Sequence, residues 1–151
     1  MESNSFAFVK RNLEIFGFGN DEEAFQSTFI ELLDNSIDAL LQNTTIDVNE
    51  KMIEIKLSQQ SDQSFCIDIT DNGIGMKGDD IPLLCGGFFH STKQQTQCQS
   101  IGKFGIGLKA ILLYYNSTLT VSSSLLSEES ITSYKVNQSL PLSIASMGCF
   151  F

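Results

Sequence analysis

At 151 residues, 42% of them hydrophobic and 18% charged, the chain has the composition of one globular domain rather than a disordered or fibrous protein. That length buries ~68–70% of the unfolded surface, enough for one real core. The net charge of −9, with nine scattered Lys and Arg, argues against a domain that grips DNA by itself, because phosphate binding draws on a basic face.

Four cysteines with no C-x-x-C pair, and one histidine, His90, argue against a zinc site. Met1 to Ala7 is short and polar, unlike a signal peptide, and no apolar run nears the ~20 residues of a membrane span. The expectation is an intracellular protein, nuclear or cytoplasmic, with free thiols and no membrane partner.

Residues 1–19 form an aromatic-rich lead-in, expected to be partly helical and then to turn at Gly17 and Gly19. Asn20 opens the clearest helix. It can cap, Glu23 sits three residues on, and the acidic first turn suits the helix dipole. The helix is expected to reach Leu41, with Ile30, Leu33, Ile37, Leu40 and Leu41 as its core stripe. Asn43-Thr-Thr breaks it. Met52 to Leu57 and Phe65 to Ile69 alternate apolar and polar residues and read as two strands around a polar turn at Gln59 to Gln63. The second strand ends at Asp71-Asn-Gly, a turn signal. A short helix is expected over Asp79 to Leu84, with Pro82 in its first turn, followed by a break at Gly86-Gly87. The Gln-rich stretch Lys93 to Ser100 reads as a mobile loop. Gly107 to Tyr115 is an apolar helix, and Thr118 to Leu126 with Ile131 to Val136 forms an antiparallel pair around Ser127-Glu-Glu. The tail from Leu140 has no clear pattern. This order argues a two-layer α/β sandwich, with helices on one face of a mixed, mostly antiparallel sheet. The expected division is a lead-in over 1–19, one domain over 20–139 and an unassigned tail over 140–151.

Three segments carry chemistry. On the first long helix, Glu31, Asn35 and Asp38 fall within a sector of about 60°. There a carboxylate can take a proton from a water, and an amide oxygen can ligate Mg²⁺. The same pattern also fits an ordinary amphipathic boundary. Asp71, at a strand end, can accept a hydrogen bond from an exocyclic amine, and Gly73 and Gly75 let backbone approach a ligand. A plain Asp-Asn-Gly turn looks the same. Gly73-x-Gly75-x-x-Gly78 also matches a dinucleotide fingerprint, but Asp79 and Asp80 follow, placing carboxylates where a pyrophosphate would sit. That excludes the dinucleotide assignment. Gly102-x-x-Gly105-x-Gly107 runs into the apolar helix, whose N-terminal amides can bind phosphate, with Lys103 and Lys109 adding charge. The spacing is not that of a P-loop, and alone it fits a flexible glycine turn.

Together and in this order, the segments Glu31-Leu-Leu-Asp-Asn35-Ser-Ile-Asp38-Ala39, Asp71-Asn-Gly-Ile-Gly75 and Gly102-Lys-Phe-Gly-Ile-Gly-Leu-Lys109 resemble the N box and two glycine boxes of the GHKL, or Bergerat-fold, ATPases. The resemblance implies ATP as substrate and Mg²⁺ as cofactor. It implies Glu31 as the general base, Asn35 as the Mg²⁺ ligand and Asp71 as the adenine reader, with Asp38 supporting the pocket. Gly73, Gly75 and Met76 would lie beside the base. Gly102, Lys103, Phe104, Gly105, Ile106, Gly107 and Lys109 would form the phosphate loop, and Lys93 would belong to the lid. The lead-in Phe8-Val-Lys-Arg-Asn12 and Gly17-Phe-Gly-Asn20 is similar to the ATP-binding subunits of type IIB topoisomerases and their meiotic relatives. This implies a separate DNA-cleaving subunit as partner, a second copy joined on ATP binding, and little direct DNA contact. Those ATP-binding subunits continue into a transducer domain whose lysine reaches the γ-phosphate. None of its motifs occurs before Phe151, so weak turnover is expected. Microrchidia-type ATPases share the Ser91-Thr-Lys93 stretch and the following glycine loop, and are the alternative family. A scaffold without turnover is the alternative in function. A histidine kinase fits less well, because His90 lies in a glycine-rich turn.

Overall fold

The computed structural model describes residues 4–59, 64–81, 106–115, 118–125, 131–137 and 148–150. The lead-in is helix α1 (Asn4–Arg11) followed by a 3₁₀ turn (Leu13–Phe16), stopped by Gly17 at φ 81°. Helix α2 (Asp21–Gln42) starts where expected. The Asn20 side chain accepts from the Glu23 amide at 3.0 Å, and Asp21, Glu22 and Glu23 lie at the positive end of the dipole. The helix stops at Asn43, whose backbone is extended and whose amide returns to the carbonyls of Ala39 and Leu40.

Strands β1 (Ile53–Gln59) and β2 (Phe65–Asp71) form an antiparallel pair. Ile55 stands opposite Ile69 and Leu57 opposite Ile67, so one face of the pair carries the apolar side chains. A second antiparallel sheet has the order β3 (Thr118–Ser123), β4 (Ile131–Asn137), β5 (Gly148–Phe150). Every described ladder is antiparallel. The α/β architecture is as expected, and β5 lies in the tail where the sequence showed no pattern. Three residues beside a longer strand carry too little alternation to be recognised alone.

Helix α3 (Gly107–Tyr115) joins the layers. Ala110, Ile111 and Leu113 pack with Val9 of α1, Ala24 of α2 and Phe18 of the turn between them. Leu112 packs on its other side with Ile81, against Leu119 and Val121 of β3. A helix apolar on all sides must be covered on all sides, which places α3 in the centre.

The stripe expected on α2 is only partly buried. Ile30 and Leu41 are 54% and 57% exposed, whereas Ala24, Thr28, Ser36 and Leu40 are buried, with Leu32 packed on the core. The buried ridge therefore follows an i, i+4 row of mostly small residues. Small side chains let α3 and the lead-in approach, and the bulkier row is turned outward. The short helix expected at 79–84 opens with a 3₁₀ turn at Gly78–Asp80, and Ile81, the last described residue of this stretch, is helical. The remainder of that helix, the break at Gly86-Gly87 and the turns at 60–63 and 127–129 lie outside the described residues. Among the described residues no helix is long and apolar enough to cross a membrane.

Two contacts pin these layers. The Tyr114 hydroxyl donates to Asp21 Oδ1 at 2.7 Å, tying the end of α3 to the start of α2. That bond, then burial and the Asp21 charge, push the Tyr114 pKa up to about 12. Gly75, at φ 72°, lies so close to the Ser124 carbonyl that a Cβ would overlap it, and the next amide, of Met76, donates to Ser123 Oγ at 2.9 Å. This carries the chain from β2 across to the end of β3.

Because the Tyr114 pKa is raised in the folded state, its contribution is complete below about pH 10, the ordinary tyrosine value, and is lost as pH rises through about 12. The stability difference between parent and Tyr114→Phe, measured by urea denaturation, should therefore shrink across that window; a constant difference contradicts the bond. Gly75→Ala should destabilise by about 2 kcal/mol or more, from its left-handed backbone and the overlap with Ser124. An unchanged denaturation midpoint would show that Gly75 does not make this crossing.

Candidate functional site

Helix α2 presents Glu31, Asn35 and Asp38 on one side, as its periodicity predicts. Glu31 is half-buried and reaches the first residue of α3. A Cβ on Gly107 would overlap the Glu31 carboxylate as it is placed and would push that side chain aside. The carboxylate thus sits at the amide end of α3, where the helix dipole favours negative charge. Asn35 is exposed, and its Nδ2 donates to the Glu31 carbonyl at 2.7 Å. Its amide plane is thereby held one turn along from the Glu31 carboxylate. Asp38 is 2% exposed and interacts within the protein. It is buried rather than lying at a water boundary.

Asp71 is half-buried at the last position of β2, opposite Ile53. Its Oδ1 accepts from the Gly73 amide at 2.9 Å, closing an Asx turn that holds the carboxylate at the strand end. Gly73 is required by the approach of α2: a Cβ there would lie 2.6 Å from the Ala39 carbonyl carbon and Cβ. The Ile74 amide donates to the Ala39 carbonyl at 3.1 Å. The same helix that carries Glu31 and Asn35 therefore touches the turn that carries Asp71.

The other expected residues divide. Gly75 and Met76 make the crossing to β3, and the Met76 side chain packs beside Ile81 and Leu112. The Ile106 side chain is buried in the helical core, while its carbonyl accepts from the amides of Lys109 and Ala110 to start α3. Any ligand contact from Ile106 is thus left to its backbone. Lys109 is 4% exposed and interacts within the protein. Lys93, Gly102, Lys103, Phe104 and Gly105 lie outside the described residues.

Two residues at this site escaped the sequence. Asn43 is 1% exposed. Its Nδ2 donates to the Asn72 carbonyl at 3.0 Å, and its Oδ1 accepts from the Thr45 amide and hydroxyl at 3.1 and 2.7 Å. Asn72 accepts from the Met52 amide at 2.8 Å and donates through Nδ2 to the Glu50 carbonyl at 2.8 Å. Both look like turn residues in sequence. Only their pairing across 29 positions reveals the junction.

Asn35 carries a neutral amide oxygen, the kind of hard donor that Mg²⁺ accepts, and also interacts within the protein. Among the described residues no three His, Cys, Asp or Glu side chains cluster as a metal cage. Mg²⁺ fits such a place because it takes few protein ligands and keeps waters and phosphate oxygens.

A family profile described as histidine kinase-, DNA gyrase B- and HSP90-like ATPase matches residues 23–140. The chain is 33% identical over 135 residues to the B-type subunit of type 2 DNA topoisomerase 6 from Pyrobaculum aerophilum, covering 85% of this chain and 25% of that one. It is 35% identical over 111 residues to the corresponding protein of Saccharolobus solfataricus, covering 71% of this chain and 20% of that one. The chain thus spans a quarter or less of the length of these curated relatives. With the profile spanning most of the chain and these relatives covering most of it, the protein belongs to the histidine kinase-, gyrase B- and HSP90-like (GHKL) ATPase family.

Proposed function

We propose that the protein binds Mg-ATP between α2, the Asp71 turn and the first turn of α3, and hydrolyses it. The observation that carries this is the Glu31 carboxylate lying on Gly107 at the N-terminal end of α3, with Asn35 one turn further along α2. Helix amides in that place suit a phosphate, and a carboxylate beside them suits a base acting on a water.

In this reading Asp71 receives the adenine amine, while its own turn keeps the carboxylate aimed. Asn35 would hold Mg²⁺ through Oδ1, and the metal, when bound, would neutralise charge on the phosphate oxygens. Glu31 takes a proton from the water that attacks the γ-phosphorus. The bond from that phosphorus to the β,γ-bridging oxygen breaks, and ADP and phosphate leave. Asp38, buried behind this row, supports the wall.

The similarity to the topoisomerase 6 relatives supports a second step of the proposal. The domain would be the ATP-driven part of a DNA-topology complex of that kind, or of a related break-forming one, with DNA cleavage residing in another subunit. A second copy and that cleaving subunit would be its partners. The net charge of −9 fits a domain that leaves DNA contact to others.

Glu31→Ala should retain binding of a non-hydrolysable ATP analogue while phosphate release falls by at least about a hundredfold, the range expected for removal of a positioned general base. Hydrolysis at the parent rate would remove Glu31 from the mechanism.

A further inference from the structure

We infer that Asn43 and Asn72 are positioning residues: a latch that fixes the adenine end of the site to the helix carrying the catalytic end. The inference rests on the Mg-ATP reading above and adds how its two ends are kept in register. Asn43 is the first residue beyond α2, and Asn72 directly follows Asp71. The Asn43 Nδ2 donates to the Asn72 carbonyl at 3.0 Å. Its Oδ1 takes two hydrogen bonds from Thr45, which locks the amide in the orientation that aims Nδ2 at Asn72. Asn72 in turn spends its side chain on the lead into β1, accepting from the Met52 amide and donating to the Glu50 carbonyl. Lys51 Nζ, from the same segment, returns to the Leu40 carbonyl at 2.7 Å.

The chemistry of this junction is specific. An amide is needed at 43, because one end must donate to a carbonyl while the other accepts from Thr45. Neither aspartate nor leucine does both. The junction is buried at Asn43, so a lost donor leaves the Asn72 carbonyl without that partner in a poorly hydrated place. Gly73 and Ile74, which touch Ala39, are directly downstream. Releasing Asn72 therefore lets the Asp71 turn shift relative to α2. The phosphate end does not depend on this latch. It is set by Glu31 against Gly107 and by the packing of α3 on α2, roughly three to five turns away along the helix.

This separation gives a readout that a general loss of stability would not. In the full chain, Asn43→Asp keeps the acceptor for Thr45 but removes the donor to Asn72. It should weaken binding of a Mg-bound non-hydrolysable ATP analogue about tenfold, while binding of Mg-tripolyphosphate stays within about twofold of the parent. Asn72→Asp opens the junction from its half-buried side, should give the same split, and supplies the answer if Asn43→Asp does not fold. Equal weakening of both ligands, or unchanged affinity for the ATP analogue, would overturn the latch. A parent chain that binds neither ligand would instead overturn the nucleotide reading, and the latch's role with it.

Discussion

The contact between the Glu31 carboxylate and the start of α3 is the interaction on which the proposed site depends. The carboxylate rests against Gly107, in the place that a Cβ there would occupy. Under the proposed Mg-ATP reading an acidic chain binds an acidic ligand here, and the overall field does not help. Attraction has to be local, from amides converging at a helix start and from a metal that comes with the ligand. Placing a carboxylate in the same spot adds a base but also competition. In the proposed reading a bound phosphate and Glu31 would both favour the amide end of α3, so the carboxylate would share it. A water held between them would then be placed to attack the phosphorus on one side and to lose its proton to Glu31 on the other.

Helix α2 is the ruler of the site. Its first turn is fixed by the Asn20 cap and by Tyr114 bonding Asp21. Its middle faces α3 through Glu31, and its last turn receives Ile74 and ends in the Asn43 junction. Three anchors along one rigid rod leave little freedom for the proposed catalytic and base-recognition ends to drift apart. The polar junction at its end is less tolerant than an apolar contact would be, because misalignment leaves buried groups unpaired. Such rigidity is what a site needs when it must hold both ends of one extended ligand.

Much of this is legible in the sequence, and for identifiable reasons. The cap at Asn20, the alternation of Ile53, Ile55 and Leu57 against Ile67 and Ile69, and the helical spacing of Glu31, Asn35 and Asp38 depend on local rules that hold in any fold. What is not legible depends on partners distant in sequence. Ile30 and Leu41 have the right period for a core, yet which side of α2 is buried is decided by the lead-in helices and α3. Asn43 and Asn72 look like ordinary breakers, because a hydrogen bond across the fold has no local signature. Ile106 sits within a glycine motif, but its apolar side chain goes to the core, as its chemistry requires once α3 is central. Strand β5 is too short to declare itself without β4 beside it.

The most direct test of nucleotide binding is calorimetric titration of a Mg-bound non-hydrolysable ATP analogue into the parent chain and into Asp71→Asn. The parent should bind, and the variant should bind at least about tenfold more weakly, as expected when a charged acceptor for the base amine is lost. Equal affinities would take adenine recognition away from Asp71. The absence of binding by the parent would contradict the central claim that this chain holds Mg-ATP.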